Sequence, residues 1–130
     1  MKHHKAVAAV IIHEGKILCV QKGDGKREYD SRKWEFPGGK VEKGETKKEA
    51  VVREIREELN MRITVESKFL VVDHRYPDMD ITMHVYFCSC DDPQVTLLEH
   101  IAYEWLSSSE LRALDWAAAE IPVVEKLIML

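Results

Sequence analysis

Glu54, Glu57 and Glu58 fall at i, i+3 and i+4 in the run VVREIREELNM, immediately after Arg53. At roughly 100° per residue the three carboxylates share one helix sector about 100° wide, and Val51, Val52, Ile55 and Leu59 form the adjoining apolar stripe. One helix therefore presents acids to a cavity and branched aliphatics to a core. Like charges on neighbouring turns repel by about a few tenths of a kcal/mol per pair, and no lysine stands four residues on to relieve them. A divalent cation would relieve them. An all-oxygen donor set suits a hard ion, Mg²⁺ or Mn²⁺, which keeps several waters and is commonly shared with substrate phosphates. The plainer alternative for such a helix is a solvated acidic face.

Upstream lie the glycine pair Gly38-Gly39 and the isolated Glu45. Together with the helix they resemble the signature of the Nudix hydrolases, G-x5-E-x7-R-E-U-x-E-E-x-G-U, where U is a bulky aliphatic residue. Gly39, Glu45, Arg53, Glu54, Ile55, Glu57, Glu58 and Met61 stand at its positions. Asn60 takes the place of the last glycine, and asparagine is the residue that best tolerates the left-handed helix cap this position needs. WEFPGGKVEKGE, YEWLSSSEL and LDWAAAEIPVVEKL are similar to the MutT-like branch, which includes 8-oxo-dGTP diphosphatases and CTP pyrophosphohydrolases. The resemblance spans nearly the whole chain.

It implies an α/β/α sandwich with a mixed β-sheet, one domain over residues 1 to 130. It also implies metal ligands at Glu54, Glu57, Glu58 and the Gly38 carbonyl, with Glu104 as a further catalytic or metal-binding glutamate. An exposed strand charge is the alternative for Glu104. Lys40 is placed by resemblance to steady the departing phosphate, and Glu45 with Arg53 to form an ion pair fixing loop to helix.

The resemblance implies that the base is read near the third-to-fourth strand turn and at the start of the last helix, where Glu120 stands. An ionised carboxylate only accepts hydrogen bonds, so it favours the N4 amine of cytosine or the N1 and N2 hydrogens of guanine; uracil offers a single donor. The CTP pyrophosphohydrolases carry an acid in a context like Ala119-Glu120-Ile121-Pro122. Glu120 as a plain N-terminal acid complementing the helix dipole is equally compatible. Phe36 and Trp34 could stack on a base and Lys22 could reach its phosphates, although aromatics beside glycines are more often core. His84 and His100 have no partners at metal-ligand spacing and read as structural.

The 130 residues, 45% of them hydrophobic, suffice for one core. The net charge of −4 disfavours nucleic acid as partner and leaves a small anionic substrate, a nucleoside triphosphate, neutralised through metal. No apolar run approaches the ~20 residues of a membrane span, and MKHHKAVAAVIIH lacks a cleavage region, so a cytoplasmic enzyme with no membrane partner is expected. Either a monomer or a homodimer is compatible. Cys19, Cys88 and Cys90 are expected to be reduced core thiols. The stretch KGDGKREYDSRK reads as a mobile loop, either a solvated hairpin tip or a phosphate binder.

Periodicity predicts strands over residues 5–13, 17–22, 62–74, 80–90 and 101–106, with turns at Glu14-Gly15-Lys16 and Tyr76-Pro77-Asp78. The signature helix is expected over 46–59, a short helix over 110–114 capped by Ser107 or Ser108, and a last helix over 118–129 with Pro122 in its first turn. The expected activity is Mg²⁺-dependent hydrolysis of a triphosphate to monophosphate and pyrophosphate, with CTP or a modified dCTP ahead of 8-oxo-dGTP. Hydrolysis of another nucleoside diphosphate derivative and a non-catalytic nucleotide-sensing module are the remaining alternatives.

Overall fold

The computed structural model describes residues 2–130. Strand β1 (Lys2–His13) is apolar on both faces through its middle, and that pattern forces it to the centre of a covered sheet. Ala6, Ala8 and Val10 face one core, and Val7, Ala9 and Ile11 the other. A two-residue turn, Glu14-Gly15, with both residues at positive φ, returns the chain into β2 (Lys16–Gln21). After the loop come two very short strands, β3 (Trp34–Glu35) against β2 and β4 (Gly38–Lys40) against β1. Neither was visible in periodicity. They are two and three residues long, and glycine carries no side-chain pattern to read.

Helix α1 (Lys47–Leu59) starts on a capping box in which Thr46 accepts from the Glu49 N–H and Glu49 accepts from the Thr46 N–H. It ends at Asn60, whose φ of 51° and ψ of 40° are the left-handed cap that asparagine tolerates. Strands β5 (Thr64–Tyr76) and β6 (Met79–Ser89) form a long hairpin turned by Pro77-Asp78, and β6 runs parallel to β1. Strand β7 (Ala102–Leu106) pairs with β2. The chain closes through 3₁₀ turns at Ser108–Ala113 and Ala118–Glu120, then α2 (Ile121–Ile128). The predicted helices at 110–114 and 118–129 thus tighten into 3₁₀ geometry, the second only over its first three residues.

Helix α1 packs Ala50, Val51, Ile55 and Leu59 on one face of this seven-stranded mixed sheet. On the other face lie Leu111, Trp116, Val123, Val124 and Leu127. This is the three-layer α/β/α arrangement. All three cysteines are buried and unbridged. Among the described residues no helix is long and apolar enough to cross a membrane.

Candidate active site

The glycine pair is required by close packing. A Cβ on Gly38 would lie 2.0 Å from the Val7 carbonyl oxygen, a backbone atom of the central strand. A Cβ on Gly39 would lie 2.5 Å from the Glu54 carboxylate. The two substitutions should therefore separate. Gly38→Ala is expected to cost about 3 kcal/mol in urea unfolding, because a strand backbone cannot step aside. Gly39→Ala should leave stability nearly unchanged and lower turnover, since the side chain of Glu54 can swing but then leaves its place. An equal loss of stability in both would contradict this.

Arg53 organises the helix face. Its Nε and Nη2 donate to the two oxygens of Glu45, each at 2.8 Å, and Nη2 also donates to the Lys40 carbonyl at 3.0 Å. Its Nη1 donates to Glu54 at 2.8 Å and lies 3.3 Å from both oxygens of Glu57. One guanidinium fork thus ties the loop after β4 to α1 and draws two of the three helix glutamates together. The hydrogen bonds from Arg53 hold Glu45 down at about 2.

Glu58 is the buried member, 5% exposed, and its Oε1 has no hydrogen-bond partner. Burial first, then Glu54 and the charges of Glu35 and Glu99, push its carboxyl far above the usual range. Four acids from three segments therefore crowd one point. Among the described residues no three of them form a ready metal cage, because Arg53 holds Glu54 and Glu57 while Glu58 turns inward. The donor set nevertheless fits a hard divalent ion. Its ligands are all oxygen, it carries excess negative charge, and Glu58 Oε1 is an unsatisfied acceptor.

Glu104 does not join this group. It pairs with Cys19, whose side chain lies in the core on the α2 side, so the exposed Glu104 projects from the sheet face opposite α1. The acid from the late segment that reaches Glu58 is Glu99. The N–H groups of Thr96 and Leu98 donate to the Leu59 and Glu58 carbonyls, each at 3.0 Å, and dock that segment on the end of α1. Glu104, expected from the resemblance to act with the helix acids, thus stands on the other face of the sheet. Period two offered the warning: Trp105 packs on the α1 side, so its neighbour Glu104 must face away.

Lys40 pairs with Ala6, which sets its side chain on the α2 face. There its charge, after burial, helps lower the pKa of His4. The structure does not bring it to the helix carboxylates. Lys22 Nζ lies 3.6 Å from Asp30 and 4.0 Å from Glu35.

Phe36 requires a correction as a base-stacking residue. It is 2% exposed and stacked on Trp116 at 4.7 Å, so its ring is core and has no open face for a base. Its backbone matters instead: the Phe36 N–H donates to Glu120 Oε1 at 3.0 Å. Glu120 itself makes no cap bond to α2. Its carboxyl is buried, 5% exposed, and burial together with the Glu35 charge pushes it up to about 8 against the opposing Phe36 N–H and Lys22. Burial thus favours the protonated form of the carboxyl that the sequence suggested as an acceptor-only carboxylate.

The loop over residues 22–33 is not a free tip. Tyr29 stacks on Tyr76 at 4.3 Å and its hydroxyl donates to Asp78, which Arg27 also meets at 3.3 Å. Tyr76 in turn accepts the Ala119 N–H at 2.9 Å, next to Glu120.

The NUDIX domain family model matches residues 2–127. The chain belongs to the Nudix family. It is 36% identical over 132 residues to the CTP pyrophosphohydrolase of Escherichia coli K12, covering all of this chain and 95% of that one. It is 37% identical over 97 residues to the 8-oxo-dGTP diphosphatase of the same organism, covering 75% of each. Its fold superposes on the crystal structure of a MutT protein from Methanosarcina mazei Go1 with a TM-score of 0.88 at 25% identity, over 98% and 94% of the two chains. This Nudix protein is thus a hydrolase of the pyrophosphohydrolase type acting on nucleotides, in a family that uses divalent metal ions.

Proposed function

We propose that this Nudix hydrolase cleaves a nucleoside triphosphate to the monophosphate and pyrophosphate with Mg²⁺, and that its preferred substrate is CTP or a modified dCTP. The observation that carries the base preference is Glu120, a buried carboxyl with Oε1 committed to Phe36 and Oε2 left to meet a ligand. Once ionised, that oxygen accepts from an exocyclic amine. The full-length likeness to a CTP pyrophosphohydrolase supports the same reading.

Glu54, Glu57 and Glu58 would hold the ion, with the Gly38 carbonyl. When bound, it neutralises phosphoryl charge and lowers the pKa of a coordinated water. Arg53 keeps Glu54 and Glu57 on one side of the helix, and the Glu45 pair keeps Arg53 from swinging away. A cation held there would favour the ionised form of the buried Glu58, because its positive charge would offset the burial and the neighbouring acids that raise that carboxyl.

The test is a turnover panel with Mg²⁺ over CTP, dCTP, 5-methyl-dCTP, 8-oxo-dGTP, dGTP and ADP-ribose, separating products by anion exchange. Cytosine compounds should lead, and Glu120→Ala should remove their advantage. The second reading, nucleotide-pool sanitation of 8-oxo-dGTP, draws on the likeness to 8-oxo-dGTP diphosphatase and would replace the first if that substrate led the panel.

A further inference from the structure

Glu35 lies outside the signature helix, on the short strand β3. It pairs with Val20 of β2, which turns its side chain to the α1 face, and it immediately precedes Phe36, whose N–H holds Glu120. Its charge accordingly reaches both Glu58 and Glu120. One carboxylate oxygen, Oε2, is 2.8 Å from His100 Nε2, and the other, Oε1, lies 4.0 Å from Lys22 Nζ, beyond hydrogen-bond length.

His100 is set with some care for a loop residue. Its side chain is 5% exposed, and the segment is pinned on either side, by the Leu98 N–H on the Glu58 carbonyl and the Ile101 N–H on the Gln21 carbonyl, each at 3.0 Å. An ionised Glu35 only accepts, so Nε2 carries the proton of this pair. Nδ1 is buried with no partner. A ring that gives up hydration at one nitrogen to make a single bond with the other is being used for orientation.

We infer that His100 is a positioning residue that aims Glu35 at the sugar of the bound nucleotide, where the free carboxylate oxygen accepts a hydrogen bond from a ribose hydroxyl. The inference rests on the triphosphate reading but not on the choice of base. With phosphates at the α1 carboxylates and the base at Glu120, Glu35, on the α1 face and one residue before the Phe36 N–H that holds Glu120, is the acid placed to meet the sugar that joins them. Hydroxyls are the donors it offers there.

The experiment measures kcat and KM with Mg²⁺ for CTP, dCTP and 2′,3′-dideoxy-CTP in the wild type, Glu35→Gln, His100→Leu and His100→Gln, with a melting curve for each. In the wild type, removal of both hydroxyls should lower kcat/KM by roughly tenfold or more, chiefly through KM, as for a hydrogen bond to a charged group. His100→Leu and Glu35→Gln should flatten that contrast. His100→Gln, whose amide can donate from near the place of Nε2, should restore it. Equal kcat/KM for the natural and dideoxy substrates in the wild type would overturn the inference without any variant having to fold. So would a His100→Leu enzyme that is slower on all three substrates alike, the mark of a structural histidine. If another base proves preferred, its own dideoxy analogue decides the sugar question, so the two readings fail separately.

Discussion

Glu57→Gln should leave the fold intact and reduce Mg²⁺-supported release of monophosphate by roughly two to four orders of magnitude, the range for losing an acid–base or ligand carboxylate in a phosphoryl-transfer site. The separation between stability and activity is the informative part. The Glu57 side chain is 52% exposed, and Arg53 Nη1 approaches both of its oxygens at 3.3 Å. Exposed ion pairs of this kind contribute little to folding. Glutamine keeps the size and one acceptor but loses the charge that a cation needs. Melting temperatures should therefore agree within a few degrees while turnover collapses. A Glu57→Gln protein as active as the wild type would remove the helix carboxylates from the mechanism and leave them as a solvated acidic face.

Glu120→Gln should flatten the alkaline side of the stability curve. The carboxyl of Glu120 is raised from an ordinary 4.5 to about 8 in the folded protein, chiefly by burial. Between those values the unfolded chain has released the proton and the folded chain still holds it. The contribution of this group is thus whole below pH 4.5 and declines as pH rises toward 8, beyond which no more is lost. By pH 9 the wild type should have lost on the order of 3 kcal/mol relative to the variant, measured as the change in urea-unfolding free energy from pH 5. Glu58 titrates with the same sign in both proteins, so the comparison isolates Glu120. Glutamine can still accept the Phe36 N–H, which keeps the local packing.

The same titration should appear in substrate choice. Ionised Glu120 accepts from the cytosine amine, whereas the protonated form also donates and so tolerates a uracil edge. The ratio of kcat/KM for CTP over UTP should widen as pH rises through about 8 in the wild type and stay flat in Glu120→Gln. Taking the ratio cancels titrations common to both substrates. A pH-independent ratio in the wild type would mean that Glu120 does not read the base.

The amino-acid pattern by itself determined the glutamate helix and its Asn60 stop, the long strands, and the Nudix family with its three-layer fold. Most of these are written in local chemistry: carboxylate spacing at 3.6 per turn, a left-handed cap, an apolar run along β1 and patterning along β5 and β6. The tertiary structure alone decided which groups share the cleft. Phe36, in the link between β3 and β4, stacks its ring on Trp116 in the core, while its backbone N–H reaches Glu120 across 84 residues of sequence. The charge of Glu99 bears on Glu58, because residues 96–98 dock on the end of α1, whereas alternation along β7 carries Glu104 to the opposite face. Glu35 and His100 meet across 65 residues with no spacing to announce them. Local sequence carries periodicity and caps because these depend on neighbours within a few residues. Which side chains face one another across a sheet edge depends on register and docking, and those are settled only when the whole chain has packed.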